Sequence, residues 1–85
     1  MKTMTYKINK KQPSYEEVKE MVGGMVEIAY DDGKTQIICN EEGKLYGLPH
    51  NLEATEKWAE LLGGEPNDYL VGNVVVLEGD ALWKG

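Results

Sequence analysis

The amino-acid sequence predicts an α+β fold, with a mostly antiparallel sheet of four to five strands and two helices packed on one face. Several short segments have the two-residue hydrophobic period of strands, and two have the 3.6-residue period of helices. Turns that contain glycine or proline separate these segments. The 85 residues suffice for one small core. Residues 1–85 are therefore expected to form a single domain in the order β-α-β-β-(β)-α-β, with 81–85 as a tail.

The first strand and the first helix are predicted near the amino terminus. Apolar and polar residues alternate over 3–8, as in a strand with one face in water. Ser14 is followed three residues later by Glu17, which is typical of a capping box at the start of a helix. Apolar residues then recur at helical spacing until the glycine pair 23–24, which favours the conformation of a helix end.

A hairpin is predicted next. Val26, Ile28 and Tyr30 alternate with the residues between them and form the second predicted strand. The turn 31–34 has the sequence Asp-Asp-Gly-Lys, a hairpin signal, and 35–40 provides the return strand. The similar turn Glu-Glu-Gly-Lys follows, and it predicts a further short strand over 45–48 that ends before Pro49.

The second helix and the last strand follow. Asn51 is predicted to cap a helix, and apolar residues at 54, 58, 61 and 62 form one stripe along it. Trp58 lies on that stripe, which favours a place in the core. Residues 69–77 are apolar at both odd and even positions, which predicts a strand covered on both faces.

The charge of the chain disfavours direct nucleic-acid binding. The net charge is −6, and all nine basic residues are lysine. Four of the lysines lie before the first acid, so residues 12–85 hold five lysines against fifteen acids; the four are Lys2, Lys7, Lys10 and Lys11. Such an acidic body repels phosphate backbones and favours a partner with a basic surface, such as a protein that itself binds nucleic acid.

The residues that catalysis or metal binding would need are scarce. One cysteine and one histidine exclude a disulfide framework and a zinc cluster of the usual kind. Cys39 shares a predicted strand face with Ile37, which favours a buried thiol, and Glu41 and Glu42 would raise its pKa. No enzyme, cofactor or metal is therefore expected. No apolar run approaches the roughly 20 residues that span a bilayer, so no membrane contact is expected.

The most distinctive stretch is 39–51, with the sequence Cys-Asn-Glu-Glu-Gly-Lys-Leu-Tyr-Gly-Leu-Pro-His-Asn. Together with Ala-Thr at 54–55 and Asp-Tyr-Leu-Val-Gly-Asn-Val-Val at 68–75, it resembles a family of small domains of unknown function. That family is encoded mainly by bacteriophages, plasmids and other mobile elements of bacteria. The resemblance covers about 22–77. It implies an accessory protein in the cytoplasm of a bacterial host cell, and it implies no activity.

The candidate binding residues surround this stretch; they are Lys44, Tyr46, His50 and Asn51, with Glu41 and Glu42 of the preceding turn and Asn73 of the last strand. An aromatic ring beside a proline and polar donors suits a protein partner or a small ligand. The alternative interpretation is structural, with Leu45 and Leu48 in the core and Asn51 as a helix cap. Because Tyr46 shares a strand side with Leu48, it is expected to pack, whereas His50 is expected to face solvent.

The predicted function is a non-enzymatic intracellular binding protein of a phage or mobile element. It would bind a host protein and inhibit a host defence system through its acidic surface, by covering a basic, nucleic-acid-binding surface. The alternative is a small-molecule or nucleotide-binding domain with sites at the interfaces of a homo-oligomer. In that case lysines would hold a phosphate, and Tyr46 or Trp83 would stack on a base.

Overall fold

The computed structural model describes the backbone of residues 3–6 and the whole of residues 12–83. Along the chain it contains β1 (Thr3–Tyr6), α1 (Tyr15–Val22), β2 (Val26–Asp31), β3 (Thr35–Asn40), α2 (Leu52–Leu62), β4 (Val74–Glu78) and a 3-10 turn (Gly79–Ala81). The predicted α+β class with two helices is confirmed. Residue 8 of the predicted first strand and the four amino-terminal lysines lie outside the described residues. Neither α1 nor α2, nor any other helix in this part of the chain, is long and apolar enough to cross a membrane.

The strands are arranged in the order β1-β4-β3-β2. β3 pairs antiparallel with both β2 and β4. β1 pairs with β4 in parallel, with Thr3 opposite Val74 and Tyr6 opposite Leu77. The antiparallel part of the sheet therefore consists of β2, β3 and β4, and β4 lies between β1 and β3.

The two helices lie on opposite faces of the sheet, so the predicted packing of both on one face is wrong. On one face, α1 packs against the sheet through a cluster that comprises Val18, Val22, Ile38, Val75, Leu77 and Ala81. On the other face, α2 packs through a cluster that comprises Ala54, Ile37, Cys39, Leu70, Val74 and Val76. Successive strand residues point to opposite faces, and all of β3 is buried. Both faces therefore need a cover, because two helices on one face would leave the other apolar face in water.

The helix boundaries that the sequence predicts are confirmed. The Ser14 side chain accepts a hydrogen bond from the backbone of Glu17 at 3.1 Å and starts α1. The Asn51 side chain accepts one from Ala54 at 3.0 Å and starts α2. Both helices end at a glycine in the left-handed conformation, as a helix end favours.

The further short strand predicted over 45–48 does not form. Residues 41–47 form consecutive turns instead. Several of their backbone bonds are local, from the Gly43 amide to the Asn40 carbonyl at 3.1 Å and from the Leu48 amide to the Gly43 carbonyl at 3.0 Å. These bonds occupy groups that a strand would use to pair with its neighbour.

β4 is shorter than the predicted strand 69–77. Gly72 has a φ of 70°, which interrupts an extended strand, and β4 begins only at Val74. The residues before the glycine turn toward the start of α2, where Val71 forms an isolated antiparallel bridge with His50. From Val74 to Leu77, β4 is buried, which confirms the prediction of a strand covered on both faces.

A bulge at Ala29 shifts the register of β2 by one residue. Ile28 lies opposite Ile38, whereas Tyr30 lies opposite Ile37. Simple alternation predicts that Tyr30 lies on the same face as Ile28. Because of the bulge, Tyr30 packs against the α2 cluster on the opposite face. The same shift brings Asp31 opposite Gln36 on the face that α1 covers.

Candidate functional site

Lys44 connects the turns at 41–47 with the loop that precedes Leu70. Its ammonium forms an ion pair with the Asp68 carboxylate and lies 4.4 Å from the centroid of the Tyr69 ring. The Asp68 carboxylate also accepts a hydrogen bond from the Tyr69 backbone at 2.8 Å. The Lys44 bond, followed by this backbone bond, lowers the pKa of Asp68, so the carboxylate stays charged at neutral pH.

His50 contacts the same aromatic ring. The His50 and Tyr69 ring centroids are 5.0 Å apart, with the planes at 63°. The Thr55 hydroxyl donates its proton to the Asn51 carbonyl at 2.9 Å. Because that proton is used, the His50 Nε2 atom, 3.3 Å from the same hydroxyl, is assigned as a donor.

The turn beside Lys44 exposes two large side chains. Leu45 is 78 % exposed and Tyr46 is 65 % exposed. The Tyr46 hydroxyl donates to the Glu42 carboxylate at 3.4 Å. The predicted packing of Leu45 and Tyr46 is thus wrong, because the strand that would have carried them is absent. We call the surface formed by Lys44, Leu45, Tyr46, His50, Asp68 and Tyr69 the Lys44 surface.

The remaining candidate residues form hydrogen bonds that hold elements of the fold together, or they lie away from the Lys44 surface. Asn51 is only 2 % exposed, and its amide donates to the Gly72 carbonyl at 2.9 Å while its oxygen caps α2. The Asn73 amide donates to the Met21 carbonyl at the end of α1, on the other face of the sheet. The Glu41 backbone donates to Met25 at 2.8 Å.

Asp68 and Tyr69 belong to the Lys44 surface but were not among the candidates. The apolar run 69–77 predicts a strand that includes Tyr69. The observed strand β4 begins only at Val74, so Tyr69 lies outside it. Gly72 is the local signal that the run is interrupted. The sequence predicts a loop over 65–68, and with that break recognised Tyr69 would have been assigned to the same loop as Asp68.

A small cavity of about 160 Å³ lies beside Lys44 and reaches the α2 cluster; Cys39, Trp58 and Leu70 are among its lining residues. The Cys39 thiol donates to a Glu27 carboxylate oxygen at 3.7 Å. Burial, and then the Glu27 carboxylate, raise the pKa of Cys39 to about 12. The thiol is therefore protonated at neutral pH and is a poor nucleophile. The carboxylate that raises the pKa of Cys39 most is therefore that of Glu27, whereas the sequence predicts those of Glu41 and Glu42.

The acids of the first hairpin turn hold that turn together. Asp32 accepts hydrogen bonds from the backbone of Lys34 at 2.8 Å and of Thr35 at 2.7 Å. These bonds, with one from the Tyr30 hydroxyl, lower the pKa of Asp32. The bond to Asp32 in turn raises the pKa of Tyr30. In the described part of the chain, no three histidine, cysteine or acidic residues are grouped so as to hold a metal ion.

A family model described as "Domain of unknown function (DUF3846)" matches residues 2–82. The match extends beyond the 22–77 of the motif resemblance at both ends, and it includes α1. No curated protein and no solved structure matches the chain.

Proposed function

We propose that this chain, which belongs to the family described as "Domain of unknown function (DUF3846)", is a non-enzymatic binding protein whose Lys44 surface takes a protein partner. One observation carries the proposal. Leu45 and Tyr46 project into solvent from a turn that the Lys44 ion pair ties to Asp68. Exposed apolar side chains on an ordered turn bind a partner at a low cost in conformational entropy.

The composition of the Lys44 surface favours a protein over a small ligand. Aromatic residues are enriched at protein interfaces, and tyrosine is common among the residues that contribute most to binding. The cavity beside Lys44 holds about 160 Å³, whereas ligand pockets hold roughly 300–1,000 Å³. A small molecule would find too little enclosed space here, but a protein surface needs none.

The charge of the molecule supports a basic partner. All fifteen acids lie within 12–83, together with only four lysines. Two of these lysines face carboxylates, Lys44 at Asp68 and Lys57 at Glu78, the latter at 3.9 Å. The α2 helix adds exposed acids at 53, 56 and 60. The partner is accordingly a host protein with a basic, nucleic-acid-binding surface that this domain covers.

The biological setting is part of the proposal. The motifs at 39–51 and 68–75 resemble those of domains from bacteriophages and other mobile elements. A small acidic protein of that origin that covers a nucleic-acid-binding surface would inhibit a host defence system, such as restriction or CRISPR immunity. The site of action is then the cytoplasm of the bacterial host.

Capture from a bacterial lysate on immobilised protein tests this proposal. The variants Leu45→Ala and Tyr46→Ala should lose the partner that the parent protein captures. The matched control is Leu62→Ala, since Leu62 is 48 % exposed at the end of α2 and should leave capture unchanged. All three variants should melt near the parent temperature, because exposed substitutions usually change stability by no more than about 0.5 kcal/mol.

Equal capture by Tyr46→Ala and the parent protein would contradict a role for the Lys44 surface. A second arm at about 1 M salt tests the charge of the partner, because the Debye length there is near 3 Å. Retention unchanged at high salt would exclude the basic partner while leaving the Lys44 surface in place.

A further inference from the structure

A cavity of about 500 Å³ lies on the α1 side of the sheet, at the other end of β3 from the Lys44 surface. Its volume is within the usual range of small-molecule sites, roughly 300–1,000 Å³. Aromatic and aliphatic groups form most of its wall, and the lining residues that matter here are Pro13, Tyr15, Ile28, Asp31, Gln36 and Trp83.

Trp83 forms a fixed part of this wall. Its indole N–H donates to the Pro13 carbonyl at 2.8 Å. Its backbone N–H donates to the Gln36 side chain at 2.8 Å, and its carbonyl accepts from the same side chain at 2.9 Å. Gln36 is only 4 % exposed. The Tyr15 and Trp83 rings are stacked, with centroids 6.2 Å apart and planes at 29°. The aromatic wall is thus in place before any ligand binds, which favours binding.

Asp31 supplies the one charge among the lining residues that lie within 12–83. The bulge at Ala29 is the reason that it lies there, because without the one-residue shift Asp31 would face α2. The carboxylate accepts from the Gly33 backbone at 3.0 Å and from the Gln36 amide at 3.3 Å. A carboxylate offers about four acceptor positions, so lone pairs are left for a ligand.

We propose that this cavity binds a small organic cation. Its ammonium group pairs with Asp31, and its apolar body lies against Tyr15, Trp83 and Ile28. Aromatic faces attract cations as well as apolar groups, so both parts of such a ligand are accommodated. A nucleotide fits poorly, because Asp31 would repel a phosphate, and the lining residues that the structure describes include no lysine.

A pair of probes of nearly equal shape tests the proposal, namely benzylamine, which is a cation at neutral pH, and benzyl alcohol, which is neutral. Binding is followed by NMR at the Trp83 indole N–H, with the Trp58 indole N–H on the α2 side as an internal control. Benzylamine should bind at millimolar concentration and shift the Trp83 signal. Benzyl alcohol should bind about fivefold more weakly, as expected when one partly exposed ion pair is absent.

Two charge-neutralising variants complete the experiment. Asp31→Asn keeps an oxygen for the Gly33 backbone, and it should weaken benzylamine binding about fivefold without changing that of benzyl alcohol. Glu60→Gln removes one negative charge from the exposed side of α2, and it should leave the binding of both benzylamine and benzyl alcohol unchanged. Tyr15→Ala should weaken both probes.

Equal affinity of the parent protein for the two probes would overturn the proposal, as would no shift of Trp83 at millimolar benzylamine. An Asp31→Asn variant that binds benzylamine as the parent does would also overturn it. If that variant does not fold, the preference of the parent protein for benzylamine decides the question.

Discussion

The Lys44 ammonium lies 4.4 Å from the centroid of the Tyr69 ring while it pairs with the carboxylate of the preceding residue, Asp68. One side chain therefore holds two consecutive residues of a distant loop. These contacts connect the turns at 41–47 to the loop before Leu70, and the Lys44 surface is built across that connection.

Replacing Lys44 with methionine should raise the pKa of Asp68. The lysine is the largest cause of its lowered pKa, so the pKa should return toward the ordinary 3.8, held down only by the Tyr69 backbone bond. A carboxyl group whose pKa is lowered by folding stabilises the protein above its ordinary pKa, and that contribution is lost as the pH falls through the folded-state value. Carbon-detected NMR titration of Asp68 in Lys44→Met measures the shift. Lys57→Met, whose lysine faces Glu78, should leave the Asp68 titration unchanged; an unchanged pKa in Lys44→Met would disprove the ion pair.

The Cys39 thiol should make stability depend on pH in the alkaline range. Its pKa rises from an ordinary 9.0 to about 12 on folding. The folded state thus holds the thiol proton more tightly, and this contribution is complete below pH 9.0 and declines as the pH rises from there toward 12. The unfolding free energy of the parent protein relative to Cys39→Ala should therefore fall between neutral pH and about pH 10. A constant difference would mean that the thiol is not shielded by burial and by Glu27.

Asn51→Ala should destabilise the protein more than Ser14→Ala does. Both substitutions remove a helix cap, which costs about 1 kcal/mol. Asn51 also donates to the Gly72 carbonyl at 2.9 Å from a buried position, and a buried carbonyl left without its donor adds roughly 1–3 kcal/mol. Urea unfolding of the two variants measures the difference. Equal losses would show that the bond to Gly72 contributes nothing.

Gly72→Ala should lower the free energy of unfolding more than Gly63→Ala does. The two glycines have similar positive φ angles, 70° and 75°, so the backbone strain is similar. A Cβ atom at Gly72 would lie 2.7 Å from Leu48 Cδ1, whereas one at Gly63 would meet nothing within 4 Å. Overpacking of this kind typically costs about 1–3 kcal/mol. In a Leu48→Ala background, Gly72→Ala should no longer carry the cost of the contact with Leu48. A double-mutant cycle by thermal melting measures this difference.

Local chemistry made several elements predictable from the sequence. The Ser14 and Asn51 caps, the glycines after both helices and the turn at 31–34 each depend on residues only a few positions apart. The relations between distant residues were not predictable. A single inserted residue in β2 reverses the faces of Tyr30 and Asp31, and hydrophobic alternation contains no sign of it. The pairing of Lys44 with Asp68 depends on where two loops meet in space, which no spacing along the chain indicates.

β4 lies between β1 and β3, and among the described strands the first to be synthesised, β1, pairs with the last, β4. A ribosome releases Thr3–Tyr6 long before Val74 exists, whereas the β2–β3 hairpin can close as soon as its own turn has emerged. Until β4 has emerged, none of the other described strands pairs with β1, and β3 has β2 as its one described neighbour. Translation thus postpones assembly of the sheet until β4 has emerged, and a pause or a premature stop before Val74 would leave the β2–β3 hairpin with an unpaired, aggregation-prone edge that chaperones and proteases recognise.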